Sequence, residues 1–322
     1  MGEMRILAKT RIFFATDVHG SEKSFLKFLN APAFYKAQVI ILGGDLTGKM
    51  IVPLVKESDG YHATFRGLNR KAANEEEAQA LEKEIRFTGY YPYRSTPEEV
   101  KELETDPAKV HAIFNELMIQ TMKQWMQMAE ERLRKTGTIV YITGGNDDFL
   151  EIEPILSGSD YVVNPEGKVV QVTDKYEMIS SGWSNPTPWK TPRECSEEEL
   201  GAKIERMASQ VKNMRNCIFN FHVPPINSRL DECPKLDENL KPMYNGSEAI
   251  MTNVGSTSVR NAIEKYQPLL GLHGHIHESR GFYEIRRTLC LNPGSESAEG
   301  ILLGAMVDIE DDKVKSYVLT QG

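Results

Sequence analysis

Cysteine is scarce in this chain, and its few cysteines are widely separated. Cys195, Cys217, Cys233 and Cys290 include no pair with the two-residue spacing of a zinc finger. Four cysteines in 322 residues also exclude a small scaffold held together by disulfides. We therefore expect free thiols, which is typical of a cytoplasmic protein.

Long apolar runs are absent as well. No stretch reaches the length of a membrane span. The opening segment, MGEMRILAKTRIFF, has neither the apolar core nor the cleavage site of a signal peptide. We expect no contact with a membrane, and this agrees with the cytoplasmic location expected from the cysteines.

Basic residues are in the minority. Lys and Arg number 38 against 46 Asp and Glu, which gives a formal net charge of −8. A surface that follows a nucleic-acid backbone needs clustered positive charge, so this balance disfavours a nucleic-acid partner without excluding one. A small anionic substrate is still compatible, because bound divalent cations reverse the sign of the local charge.

The sequence does contain short apolar runs that end in polar side chains. Arg11–Ala15, Val39–Leu42, Thr138–Ile142 and Cys217–Phe221 have the length of buried strands, and a further run ends at Gly271. In open α/β sheets, ligands bind beyond the carboxyl ends of the strands, so these exits can surround one crevice. The polar residues at the exits are Asp17, His19, Asp45, Asn146, His222, His275 and His277.

These exit residues offer oxygen and nitrogen donors and no thiolate. Taken alone, His275 and His277 indicate no more than two hydrogen-bonded loop histidines. Together with the others they suit divalent ions such as manganese, iron or zinc. Seven ligands are too many for one ion, so two are implied, with one carboxylate bridging them. A water between two such ions would become a hydroxide nucleophile at neutral pH.

The order of the motifs resembles one known family. DVH (17–19), GGD (43–45), GNDD (145–148), FHVPP (221–225) and GHIH (274–277) follow the pattern of the calcineurin-like metallophosphoesterase superfamily. The resemblance spans residues 11–295. It implies an α/β fold, a sandwich of two mixed β-sheets flanked by helices.

The resemblance also implies a role for each exit residue. Three residues would hold the first metal, three would hold the second, and Asp45 would bridge the two ions. The first set is Asp17, His19 and His277, and the second set is Asn146, His222 and His275. Asp45 and His222 are thus candidate catalytic residues as well as ligands.

Asp147 is the third catalytic candidate, at a position where many family members have a histidine. A carboxyl group beside two cations is expected to have a lowered pKa and to be a weak general acid at neutral pH. Asp148 is expected to orient a ligand, and His273 to be structural.

The segment between Asp45 and Asn146 is too long for a simple crossover. We interpret 51–135 as a helical insertion within a single domain, 1–322. Thr96 and Asp106, each followed by proline, are predicted to begin two of its helices. The insertion is expected to cap or flank the metal crevice. It could instead form a homodimer interface, because the sequence leaves the oligomeric state open.

The predicted function is that of a dinuclear metal-dependent phosphoesterase. It would hydrolyse a small phosphomonoester or phosphodiester by attack of a hydroxide that bridges the metals. Two alternatives stay open. A metal-dead protein-binding scaffold of the same fold would have lost ligands, whereas all seven are present. A nuclease is disfavoured by the acidic charge balance.

Overall fold

The computed structural model of the chain describes residues 9–322. The strands in chain order are β1 (Thr10–Ala15), β2 (Val39–Gly43), β3 (Ile51–Glu57), β4 (Gly60–Phe65), β5 (Leu68–Ala72), β6 (Tyr91–Ser95), β7 (Ile139–Thr143), β8 (Val169–Gln171), β9 (Glu177–Ser181), β10 (Cys217–Phe221), β11 (Glu232–Pro234), β12 (Tyr244–Asn245), β13 (Glu248–Ala249), β14 (Met251–Asn253), β15 (Leu270–Leu272), β16 (Gly281–Ile285), β17 (Thr288–Asn292), β18 (Leu303–Glu310) and β19 (Lys313–Gln321). The helices are α1 (Glu22–Tyr35), α2 (Glu75–Phe87), α3 (Pro97–Thr105), α4 (Pro107–Leu133), α5 (Glu153–Gly158), α6 (Glu197–Ala208) and α7 (Thr257–Tyr266).

Two mixed sheets form the centre of the molecule. The first has the strand order β19-β18-β1-β2-β7, and the second has the order β16-β17-β15-β10-β9-β8. In the first sheet, β1, β2 and β7 are parallel, while β18 is antiparallel to β1. In the second, β9, β10, β15 and β17 are parallel. The prediction of a sandwich of two mixed sheets is confirmed.

The buried strands are apolar on both faces because each face meets a different layer. On β1, Ile12 and Phe14 pack between the two sheets, whereas Phe13 and Ala15 pack against helices. Side chains of a strand alternate between its faces, so a strand covered on both sides has no polar face. The layers are therefore helix, sheet, sheet and helix.

The helices cover the outer faces of the two sheets. Phe25 of α1 stacks on Trp125 of α4, with ring centroids 4.1 Å apart, over the first sheet. Leu200 of α6 and Val259 of α7 pack over the second sheet. None of the helices within residues 9–322 is long and apolar enough to cross a membrane.

The segment 51–135 contains the expected helices and also a sheet that was not predicted. Thr96 and Asp106 cap α3 and α4 as predicted. The strands β3, β4, β5 and β6 add a separate sheet of order β5-β4-β3-β6, so describing the insertion as helical was incomplete. Val52 and Leu54 are buried against Leu81 of α2 in a small core of their own. The alternation of β3 was obscured by Pro53, a residue that normally argues against a strand.

Candidate metal centre

All seven residues expected to bind metal lie at the carboxyl ends of strands in the sandwich. Asp17 and His19 follow β1, Asp45 follows β2, and Asn146 follows β7. His222 follows β10, while His275 and His277 follow β15. Because the strands within each sheet run parallel here, their ends gather at one edge of the sandwich. The structure therefore brings together side chains that are far apart in the sequence.

Four of the seven form one tight group. A donor atom from each of Asp17, His19, Asp45 and His277 lies within 4.8 Å of the others. The Nε2 atoms of His19 and His277 are only 2.9 Å apart. His277 Nε2 is also 3.4 Å from Asp17 Oδ1. These atoms converge on a single point, as ligands of one ion would.

The other three form a second group around an amide oxygen. Asn146 Oδ1 lies 3.0 Å from His222 Nε2 and 2.7 Å from His275 Nδ1. His222 Nδ1 lies 3.0 Å from the carbonyl oxygen of Gly43, which can only accept a hydrogen bond. In neutral His222 the proton therefore belongs on Nδ1, and the lone pair of Nε2 points into the site.

Asp45, a member of the first group, also reaches the second. Its Oδ1 is 3.3 Å from His222 Nε2, and its Oδ2 is 3.7 Å from His19 Nε2. The two oxygens of one carboxylate thus face different groups. This is the position that a bridging ligand requires.

Four of these residues have an unusual backbone conformation. Asp17, His19, Asp45 and His275 have φ values of 53°, 42°, 50° and 68°, in the left-handed region that residues other than glycine rarely adopt. Hydrogen bonds hold the first loop in place: Asp17 N–H donates to Gly44 O and His19 N–H donates to Asp45 O, both at 2.9 Å. Such strain is characteristic of functional sites.

Burial and charge set the protonation of the cluster. Burial lowers the pKa of His19 to about 3 and that of His275 to about 4, so both imidazoles are neutral near pH 7. For His222, burial acts in the same direction, but the carboxylates of Asp45 and Asp17 outweigh it and raise the pKa to about 10. The two carboxylates therefore attract positive charge at this point, whether a proton or a cation.

The donor set fits divalent cations. It consists of two carboxylates, one amide oxygen and four imidazoles, and Asp17, Asp45, Asn146 and His222 are buried. Nitrogen and oxygen donors without thiolate suit manganese, iron or zinc. His273, by contrast, donates a hydrogen bond from Nδ1 to Phe221 O at 2.8 Å and is not part of either group.

Comparisons with known proteins bear on the fold. No model of a known protein family matches the chain. The chain is 32% identical over 155 residues to an uncharacterized protein of Methanocaldococcus jannaschii, a match that covers 48% of this chain. It covers 62% of that protein, so the chain spans less than two thirds of this relative's length.

Solved structures resemble the chain over nearly its full length. One superposes with a TM-score of 0.57 at 13% identity, covering 98% of this chain and 99% of the other. A Thermus thermophilus protein superposes with a TM-score of 0.51 at 12% identity, with the same coverage of each chain. At such identities a superposition shows a shared fold and not a shared activity. The chain therefore shares the fold of these two structures. The order of its motifs resembles that of the calcineurin-like metallophosphoesterases.

Asp148, which was expected to orient a ligand, joins two of the loops that carry the site residues. Its buried carboxylate accepts hydrogen bonds from the backbone N–H of Leu46, Thr47 and Gly145 at 2.8–3.0 Å. It also accepts from Thr47 Oγ1 at 2.7 Å. The loop that follows Asp45 is thereby tied to the loop that carries Asn146.

Two supporting residues were not anticipated from the sequence. Asn146 Nδ2 donates to Thr191 Oγ1 at 2.9 Å, which turns the amide oxygen of Asn146 toward the two histidines. Arg193 is buried and donates from Nε to Asp148 O at 2.7 Å. Both come from a loop more than 40 residues away in sequence, and neither belongs to a recognisable motif.

A third unanticipated residue is Lys49, whose Nζ lies 2.5 Å from Asp147 Oδ2. Burial opposes the charge of Lys49, but Asp147 raises its pKa, so the lysine stays cationic. Burial and the Asp45 carboxylate raise the pKa of Asp147, and Lys49 opposes both effects. The lowered pKa expected for Asp147 depends on bound cations and stays a prediction.

A large cavity of about 1630 Å³ opens at the metal centre. Its floor includes Asp45, Asn146, His275 and His277, with Lys49 and Asp147 beside them. Three walls rise from this floor. We call them the helix wall (Leu103, Pro107, Val110 and Phe114), the proline loop (185–192) and the distal wall (Pro234, Leu236, Leu240 and Pro242). The helix wall belongs to the insertion, which therefore flanks the crevice in the structure.

Proposed function

We propose that the protein is a metal-dependent phosphoesterase that uses two divalent cations. The observation that carries the proposal is the position of Asp45, whose two oxygens face separate groups of ligand atoms 3.3 and 3.7 Å away. A single-ion site would need no such residue. The second group, around Asn146, would likewise have no purpose in a site with one ion.

The cations would supply Lewis acidity toward the phosphate oxygens and a lowered pKa for water. The chain's own residues would hold the cations and fix the positions of the donor atoms. Asp17, His19 and His277 would hold one cation, Asn146, His222 and His275 the other, and Asp45 both. The backbone hydrogen bonds that fix the strained loops would keep these donors at the correct separation before substrate binds.

Lys49 and Asp147 would act at the edge of the cluster. Lys49 lines the cavity beside the cluster, and its Nζ contacts the Asp147 carboxylate. An ammonium group in that position binds anionic oxygen. Asp147 would orient the lysine and would not be an essential proton donor.

The test is hydrolysis of a chromogenic monoester, p-nitrophenyl phosphate, and a diester, bis-p-nitrophenyl phosphate, with added manganese. We expect turnover that chelation removes and manganese restores, and about two ions per chain by elemental analysis. Asp45→Asn, which removes a charge shared by both ions, should lower turnover at least about a hundredfold with circular dichroism unchanged.

Asp160→Asn provides the matched control, because it makes the same chemical change at a carboxylate that is 82% exposed and pairs with Arg134. It should retain full activity and metal content. Protein purified without chelator that contains almost no metal, and that manganese does not activate, would contradict the proposal and favour the metal-dead scaffold instead.

A further inference from the structure

The walls of the cavity are far less polar than its floor. Away from the metal cluster and its neighbours Lys49 and Asp147, the only Asp, Glu, Lys or Arg residues among the lining residues described are Lys190, Glu197 and Glu278. The walls contain no arginine in that range. A groove that followed a polynucleotide would need clustered positive charge along its length.

The helix wall and the distal wall consist of leucine, valine, phenylalanine and proline, whereas the proline loop also contains polar residues. Six prolines line the cavity, three of them in the proline loop. Several apolar side chains remain open to solvent: Val110 is 36% exposed, Leu240 45% and Trp189 61%. A contiguous apolar surface of this kind, when it is exposed, marks a site for an apolar partner.

The helix wall is fixed relative to the metal centre. The ring of Phe114 packs against that of Phe149, with centroids 6.1 Å apart, and Phe149 immediately follows Asp148. Phe114 also packs edge-on against Tyr91, whose hydroxyl accepts a hydrogen bond from Gly48 N–H at 2.8 Å. The apolar wall is thus joined to the same loops that carry the cluster and Lys49.

The cavity is larger than a phosphate group alone would require. Typical clefts for small ligands are about 300–1,000 Å³, whereas this one is about 1630 Å³. A phosphate group at the cluster would occupy only the floor. The rest of the cavity is continuous with that floor, so it has room for a group covalently attached to the phosphate.

We infer that the substrate is an amphiphilic phosphoester, with its phosphate at the metal cluster and a long apolar group along the helix wall and the distal wall. This inference rests on the proposed function, since the phosphate position follows from it. Lys49 marks the boundary between the anionic and apolar parts of the substrate. The lack of arginine on the walls argues against a nucleotide polymer in the same place.

Binding can be tested without turnover, because Trp189 lies on the proline loop and reports on the cavity. Tryptophan fluorescence of the manganese-loaded protein would be titrated with dodecyl phosphate below its micelle concentration, with methyl phosphate and with adenosine monophosphate. We expect dodecyl phosphate to bind at least about a hundredfold more tightly than methyl phosphate, which burial of about four methylene groups would produce. Trp189→Phe should abolish most of the signal.

Two wall variants and one control identify the binding surface. Val110→Asp and Leu240→Asp place a charge on each apolar wall at exposed positions, so folding should not be affected. Each should weaken dodecyl phosphate at least about tenfold and leave methyl phosphate unchanged. The control is Phe34→Asp, at a side chain that is 80% exposed and does not line the cavity. It should change neither affinity.

Hydrolysis separates failure of this inference from failure of the proposed function. Methyl and dodecyl p-nitrophenyl phosphate share a leaving group and differ only in the apolar chain. Equal rates and equal affinities for the two chain lengths would overturn the inference while the phosphoesterase proposal stood. Tighter binding of adenosine monophosphate than of dodecyl phosphate would overturn it in favour of a nucleotide. Wall-dependent binding of dodecyl phosphate without hydrolysis of either ester would refute the phosphoesterase proposal and leave the apolar site in place.

Discussion

The sandwich and the insertion differ in the kind of surface that they expose. In the sandwich, apolar strands are covered on both faces, and polar residues occur where the strands end. The insertion has a small core around Val52, Leu54 and Leu81, and its helices leave apolar side chains such as Val110 exposed on the cavity. The first arrangement fixes donor atoms through backbone hydrogen bonds between loops, whereas the second presents an open surface.

Under the proposed function, the sandwich would carry the catalytic residues and the insertion would determine which substrate binds. The residues of the sandwich would face only the phosphate, so they could serve many phosphoesters. The insertion would face the group attached to that phosphate. Variants that affect one region and spare the other therefore test whether the division is real.

The largest effect is expected from Gly44→Ala, which acts on the sandwich. Gly44 has φ +121°, and an added Cβ would lie 2.4 Å from His222 Nδ1. His222 would have to move away from Gly43 O and from the second group of ligands. We expect loss of about one cation per chain by elemental analysis and at least a roughly hundredfold fall in turnover.

Gly158→Ala is the matched control, because no atom lies within 4 Å of an added Cβ there. It should be indistinguishable from the parent protein. Normal metal content in Gly44→Ala would mean that the geometry of His222 is not required for the second cation.

A pair of matched core substitutions should show an intermediate effect and test whether the regions unfold separately. Leu270→Ala removes a fully buried side chain from the core between the two sheets, and Leu81→Ala removes one from the insertion core. Each substitution should cost about 2–5 kcal/mol of local packing. Leu270→Ala should lower the free energy of global unfolding measured in urea.

Leu81→Ala should instead speed amide hydrogen exchange in 51–95 and leave exchange in the sandwich strands unchanged. Turnover of p-nitrophenyl phosphate should change little, because that substrate needs only the metal centre. Uniform loss of protection across both regions would show that they form one cooperative unit.

The smallest effect is expected at Asp147. Asp147→Asn keeps the size of the side chain and its backbone hydrogen bond to Asp45 Oδ1, which is 3.0 Å long. It removes the charge that pairs with Lys49. Turnover of aryl phosphoesters should stay within about tenfold of the parent protein, since no essential proton donor is lost. Loss of alkyl-ester cleavage with aryl cleavage intact would instead identify Asp147 as a working general acid.

The two regions also differ in how well their structure could be predicted from sequence. Strands such as β10 were predicted residue by residue, because CIFNF is apolar except for Asn220 and ends abruptly at His222. The insertion sheet was missed since β3 and β6 both contain proline, Pro53 and Pro92, and β5 is largely polar. Local pattern identifies a strand only when burial dictates its composition.

The supporting residues of the site show a similar limit. Asp148 could be assigned because it lies within a motif. Thr191 and Arg193 reach the site from a loop beyond β9, and their contacts with Asn146 and Asp148 are visible only in three dimensions. A hydrogen bond between residues 45 positions apart does not alter the local composition of either segment, so local sequence patterns do not reveal it.

The position of β1 has a consequence for the order in which the protein can be assembled. β1 lies between β2 and β18, so Thr10 pairs with Ile309. His19 meets His277 across a separation of 258 residues. Contacts this distant along the chain form late, because the intervening segment must be ordered first. During translation, His19 is made 258 residues before His277. The candidate metal centre is therefore completed only after His277 has been added to the chain.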